Sequence, residues 1–463
     1  MNKITKSLLI ALSISVLAAC DDDDDDVVIS PPPVEPGSSY IRVIHGSADA
    51  PAVNVNVDGA EALSMVDYTE GSGFIMLDEG SYMVTVDGIL ADESTVQVLD
   101  LGAVDLMADM EYTVFAHGYV ADDGDTTNDL TTAVIANAKS DVTEGNIRLQ
   151  VLHGAPNAPT VDLHVTGATD ELGDPLGTLA YGDVTDQVEV AAGTYRVRLV
   201  IAEGDSMGAV AFDAVLPDLP AGSDLFVAAA PKTGVTTSPV QLIANNGTDT
   251  LTIIDDRTES WVRVVHAAPD VPEVDILVND TAALTNVPFT GASDYLPLPD
   301  GIYNVKVALS SDNNVVGIEG DLDVSADMSY TVYAVGTLAA EDPDIPLEFY
   351  VLMDEVRSIA TQASVRLTHA HPTVGNVDIY VTGDGVIDGV DPTFADIPFK
   401  ASTGYVALPP GEYNVKITPP GDKTVVIDTG SLMLMGGGVY SATAVDNAGG
   451  TPANLILQDD FVN

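Results

Sequence analysis

Short runs of alternating apolar and polar residues fill the chain after residue 39, and no segment carries a long apolar stripe of period 3.6. Four of these runs end in a histidine: Ile-Arg-Val-Ile-His45, Leu-Gln-Val-Leu-His153, Val-Arg-Val-Val-His266 and Val-Arg-Leu-Thr-His369. A turn follows each histidine, and the next run alternates again, as in Val53-Asn-Val55-Asn-Val57 and Val274-Asp-Ile276-Leu-Val278. Each copy then places a tyrosine just after a glycine turn, at Tyr82, Tyr195, Tyr303 and Tyr413, and opens another alternating strand with it. A period of two with one apolar face predicts half-buried antiparallel strands, about seven per copy.

The histidines lie 108, 113 and 103 residues apart, so the repeat is as long as a domain. The expected fold class is all-β: four tandem immunoglobulin-like or transthyretin-like antiparallel β-sandwiches behind a disordered lipidated tether. The boundaries expected are 40–138, 146–256, 261–356 and 364–463, after a signal peptide over 1–19 and a tether over 20–39. The copies are not equivalent. Eleven residues separate Val57 from Tyr68 and Val278 from Phe289, whereas sixteen and eighteen separate Val165 from Tyr181 and Val381 from Phe399. A two-domain unit that duplicated explains this, and the short junctions predict a rigid row. A further tyrosine opening a late strand (Tyr112, Tyr330, Tyr440) is reminiscent of a tyrosine corner, but the cysteine pair and core tryptophan of antibody domains are missing.

The pattern His-x-x-Pro-Asp-x-Pro-x-Val-Asp-Ile-x-Val, followed by Pro-x-Gly-x-Tyr-x-Val-x-Val, resembles the domain of unknown function family numbered 4397. Copy three matches it most fully. Copy one has Asn54 where the others have Asp162, Asp275 and Asp378, and copy four has Thr373-Val-Gly375 in its turn. The resemblance implies a secreted, surface or lipid-anchored bacterial module, with no activity or cofactor.

The first residues alter the picture by giving an address. A basic start with Lys3 and Lys6, an apolar stretch over 7–19 and the run Leu17-Ala18-Ala19-Cys20 resemble a lipoprotein signal, with Cys20 as the lipidation site. Cys20 is the only cysteine, so no disulfide is available to any core. Six aspartates at 21–26 and prolines at 31–33 predict a stiff, extended tether reaching about 60 Å. Acidic residues at that place resemble both inner-membrane retention and surface-export signals, which point in opposite directions. The expected location is the cell envelope, with the outer membrane or cell surface favoured and the periplasmic face of the inner membrane as the other reading.

Net charge is −55, from 71 acidic and 16 basic residues, which repels nucleic acid and excludes it as a partner. Solvation of exposed faces accounts for the excess; carboxylate sites for divalent cations are the sharper reading. Candidate calcium loops are Asp122, Asp123 and Asp125, and Asp384, Asp388 and Asp391. In the second, Ala395 stands where an EF-hand needs its bidentate Glu. His369, His371 and Asp378 form a weak candidate for a transition metal. His45, His153, His266 and His369 share the apolar face of their strands, which argues that they close the ends of cores. No phosphate loop, His-Glu-x-x-His or Gly-x-Ser-x-Gly motif occurs. The expectation is a lipid-anchored, non-catalytic binding, adhesion or spacer protein without a cofactor, calcium being possible. Its partners would be the membrane, through the lipid, and an unknown protein or glycan. The alternatives are a calcium-stabilised adhesin and an envelope metal-dependent hydrolase.

Overall fold

The computed structural model describes residues 37–121, 124–338, 345–355, 357–447 and 454–459. Cys20, Asp122 and Asp123 lie outside the described residues, as does the expected tether up to residue 36. The described residues form thirty-three strands and no helix, arranged in eight sheets of four or five strands. These make four β-sandwiches in sequence order.

Sandwich 1 sets the plan with β1 (Ser38–His45), β2 (Val53–Val57), β3 (Ala60–Val66), β4 (Ile75–Asp78), β5 (Gly80–Ile89), β6 (Thr95–Leu106), β7 (Met110–His117) and β8 (Thr131–Ala138). One sheet runs β4-β1-β7-β8 and the other β3-β2-β5-β6. All pairings are antiparallel except β1 with β7, which run parallel and set Val43 opposite Val114 and His45 opposite Ala116. The other three sandwiches repeat this plan, each with its histidine strand parallel to a late strand. Sandwich 2 adds a ninth strand, Thr250–Ile253, beside Val240–Asn245.

Inside each sandwich the alternation works as expected: Val53, Val55, Val84 and Val86 face one another in sandwich 1, and Leu149, Leu163, Leu199 and Phe212 do so in sandwich 2. The cores are unevenly filled. Phe212 pairs with Leu199 in sandwich 2, where the other copies have Leu99, Ile318 and Ile427. The space left in sandwich 2 is about 10 Å³, against about 260 Å³ in sandwich 3 and 120 Å³ in sandwich 4, where Ile427 is part of the lining.

The histidine strands depart from the expected half-burial, because their outward faces are buried as well. Sandwich 1 packs this sheet against the matching sheet of sandwich 2, enclosing Ile44, Phe115, Leu152, Phe226 and Ile243. Sandwiches 3 and 4 do the same around Val265, Tyr333, Val335, Val445 and Ile456. The arrangement is two face-to-face pairs and not a row. The segment before sandwich 4 also returns to sandwich 1: Arg357 Nε donates to Ala48 O at 3.0 Å, Arg357 Nη1 meets Asp67 Oδ1 at 2.6 Å, and Ala360 N donates to Asp49 O at 2.8 Å.

In the first pair, Phe115 closely approaches the backbone at two glycines. A Cβ on Gly46 would stand 2.1 Å from Phe115 Cζ, and one on Gly154 would stand 2.6 Å from Phe115 Cε1. Sandwiches 3 and 4 have Ala267 and Ala370 after their histidines.

Candidate functional site

Each repeated histidine is buried at the end of its strand and tied on both ring nitrogens to the turn behind it. Nε2 meets the carbonyl six residues on: Pro51 O, Pro159 O and Pro272 O at 3.1 Å, and Gly375 O at 2.7 Å. Nδ1 receives the backbone N–H two residues on, from Ser47, Ala155, Ala268 and His371, at 3.3–3.4 Å. A carbonyl at Nε2 and an N–H at Nδ1 are both satisfied only by the neutral tautomer protonated at Nε2. An aromatic ring meets each imidazole edge-on: Tyr68, Tyr181, Phe289 and Phe399, with centroids 6.0–6.4 Å apart. Burial lowers the pKa of all four, that of His45 to about 4.

The polar side chains of the histidine turns bond elsewhere. Asp49 takes Val120 N and Ala121 N, each at 2.8 Å. Asp270 takes Leu338 N at 2.9 Å, and Asn157 donates to Pro239 O at 3.1 Å. These bonds fasten the histidine turn to a neighbouring loop. Tyr82, Tyr195, Tyr303 and Tyr413 donate to the carbonyl four residues earlier, at Asp78, Ala191, Pro299 and Pro409. Both repeated polar side chains therefore hold backbone and do not project into an open site.

The metal candidates do not converge. Among the described residues no group of three His, Cys, Asp or Glu side chains is placed to hold an ion. Asp125 caps its own turn through Thr127, and Asp384 caps Val386 N. Asp388 and Asp391 are exposed. Both oxygens of Asp378 accept backbone N–H groups, from Asp396 and Gly421 at 2.8 Å. His369 is occupied by its turn, and His371 Nε2 stands 3.6 Å from Asp446 Oδ1.

The sequence reading missed the position three residues before each histidine, on the outward face. Arg42, Gln150, Arg263 and Arg366 stand there, all buried between paired sandwiches. Arg42 Nε donates to Thr113 Oγ1 at 2.8 Å and Nη1 to Asn245 Oδ1 at 3.0 Å, with its guanidinium over Phe74 and Phe226. Among the described residues no carboxylate forms an ion pair with it, and burial lowers its pKa to about 10. The second pair uses acids instead. Arg366 Nη1 stands 2.5 Å from Asp354 Oδ1, and Arg263 Nη1 stands 2.5 Å from Asp459 Oδ1. Tyr295 and Thr331 hydroxyls each donate to Asp354 Oδ2 at 2.6 Å. Arg–Val and Arg–Leu dipeptides amid apolar strands were the available signal, since a charge on an otherwise apolar outward face marks a second buried surface.

Beside this network lies a cleft of about 690 Å³, walled by sandwiches 3 and 4 and by Gly234 and Val235 of sandwich 2. Its volume is that of a small-ligand site. Arg263, Ser293, Asp294, Gln458 and Asp459 are among its polar lining residues. Gln458 is 2% exposed; its Oε1 accepts from Tyr333 Oη at 3.3 Å, while Nε2 is buried without a hydrogen-bond partner. The Gln458 amide is thus sealed within the wall, whereas Asp294 is exposed at the cleft.

Comparison with known proteins gives one family. The profile of a domain of unknown function (DUF4397) matches residues 39–164, 260–380 and 363–462. No curated protein matches the sequence. Among solved structures, the Bacillus anthracis TIE protein is similar at 11% identity and TM-score 0.15, over 89% of this chain and 68% of that one. A multi-modular glycogen-degrading pneumococcal virulence factor follows at 12% and 0.15, over 64% and 38%. A cell adhesion protein of Bacteroides fragilis, described as putative in its title, follows at 11% and 0.14, over 68% and 97%. Likenesses at these scores carry no argument.

Proposed function

We propose, on the footing that this chain belongs to the DUF4397 family, that it is a non-catalytic binding module of the cell envelope, lipid-anchored through Cys20. The observation that carries this reading is that the fourfold polar residues are consumed in holding turns, which leaves a cleft between modules as the place of contact. The partner proposed for that cleft is an oligosaccharide, whose hydroxyls suit the exposed Asp294 carboxylate. The tether sequence and the strong negative charge suit display away from an anionic membrane.

Two measurements test the reading. Wild-type protein on intact cells is expected to incorporate labelled palmitate and to be cut by added protease, while Cys20→Ala is expected to lose the label and leave the membrane fraction. Protection until the outer membrane is opened would remove the surface location, and an unlabelled wild type would remove the anchor. Purified protein screened against soluble envelope oligosaccharides is expected to give a hit that weakens at least about tenfold in Asp294→Ala, the loss of one hydrogen bond from ligand to a charged acceptor. No hit, or a hit indifferent to that change, would sink the cleft assignment.

A further inference from the structure

Methionine is normally among the residues most often buried. This chain has eleven, and ten fall within the described residues. None of the ten is buried, and nine are between 36% and 72% exposed: Met65, Met76, Met83, Met107, Met207, Met328, Met353, Met433 and Met435. The tenth, Met110, packs at the edge of the sandwich 1 core. The buried clusters themselves consist of Val, Leu, Ile, Ala, Phe and Tyr. Sulfur is thus kept out of every core and placed outside, often on strand positions where alternation calls for a polar residue. Met76 lies on the edge strand β4, Met83 on the outward face of β5, Met433 on the outward face of strand Ile427–Leu434, and Met353 on the edge strand Glu348–Asp354, opposite Tyr330.

We propose that these nine thioethers form an oxidant-absorbing set, sites of sulfoxidation that the fold accepts without loss. In the step itself, a sulfur lone pair attacks an oxygen of hydrogen peroxide; the S–O bond forms as O–O breaks, and the proton leaves with the departing hydroxide as water. With hypochlorous acid the sulfur attacks chlorine and hydroxide leaves; water then displaces chloride at sulfur, and its protons go to hydroxide and solvent. Sulfur loses two electrons and the oxidant gains them. The product is a polar sulfoxide. In a packed core that change disrupts the structure; at an exposed position it exchanges one solvated group for another. The only cysteine, at residue 20, is the expected lipid site and so adds no thiol to the set.

The test uses the full mature chain treated with graded hydrogen peroxide or hypochlorous acid, read by intact mass, peptide mapping and melting temperature. The expected result is uptake of about nine oxygens at the named residues, with a melting shift below about 4 °C, less than about 1 kcal/mol of stability would move a small domain. Unfolding that tracks the first oxidations, or resistance of most of the nine, would overturn the proposal. In cells, a variant with all nine replaced by Leu keeps the apolar surface but lacks the sulfur. Cells displaying it are expected to survive hypochlorous acid several-fold less well than cells displaying wild type at equal level. Equal survival would overturn the protective role. Should the ninefold variant not fold, Met65→Leu, Met76→Leu and Met83→Leu together should lower oxidant uptake by a third, and an unchanged uptake counts against the proposal in the same way.

Discussion

Replacing Asp354 by Ala is expected to lower the stability of the second pair by about 3–5 kcal/mol, because it leaves a buried guanidinium without its counter-charge. The Asp354 side chain is fully buried, and Arg366 is 2% exposed, with Nε and Nη2 lacking hydrogen-bond partners. The hydroxyls of Tyr295 and Thr331 lose their acceptor in the same step. Calorimetry should show a transition that moves down while that of sandwiches 1 and 2 stays in place, since the four modules need not melt as one unit. Removing the charges together, as Asp354→Leu with Arg366→Met, should recover much of the loss. An Asp354→Ala profile that overlies wild type would refute the role given to this carboxylate.

The second large effect is acid sensitivity centred on the histidine turns. Burial is the main cause holding His45 at about 4, with the Arg357 charge adding to it and the Pro51 carbonyl opposing. In the unfolded chain the same group protonates near 6.5. Between those values the unfolded state binds more protons, so stability is full above about 6.5 and falls as pH drops toward 4. For His45 alone the loss is about 3 kcal/mol at the bottom of the window. His153, His266 and His369 are shifted the same way by burial. Protonation of carboxylates nearer pH 4 relieves repulsion in this acidic chain and works against the trend, so the steepest fall in melting temperature belongs in the upper part of the window. His45→Phe should be less stable at pH 7 but show a shallower pH slope. A slope equal to that of wild type would remove His45 from the account.

The strands, their inward faces and the fourfold histidine turn were legible because period-two alternation depends on near neighbours. Burial of the histidine could be read the same way, from its parity with Val43 or Val264. Its hydrogen-bond partners could not: the carbonyl six residues on is chosen by the path of the turn, which no side chain spells out. The pairing of sandwiches was written in Ile44, Phe115, Val265 and Tyr333, apolar residues on faces that alternation assigns to water, and was passed over because each was judged against its own sheet alone. The loop-length likeness between copies one and three suggested a duplicated two-domain unit and carried nothing about how its domains pack. The cleft beside Arg263 draws on three sandwiches, and residues from β-strands nearly two hundred positions apart meet there. Spacing within one repeat carries no trace of such a meeting.

Four modules of one plan on a single chain face a hazard of assembly, since each histidine sheet has three candidate mates and only one correct one. The two pairs fill their interfaces differently. Phe115 seats against Gly46 and Gly154, where a Cβ would stand 2.1 and 2.6 Å from its ring, whereas the second pair buries Tyr333 beside alanines at 267 and 370. Brought against sandwich 2, Asp354 would lose Arg366 and meet Gln150 at the matching position, keeping only Arg263 of its own sandwich at 3.8 Å. Losing that partner in a buried interface makes such a mismatch costly. The polar residue placed at one strand position thus gives modules of one plan a means of telling their mates apart.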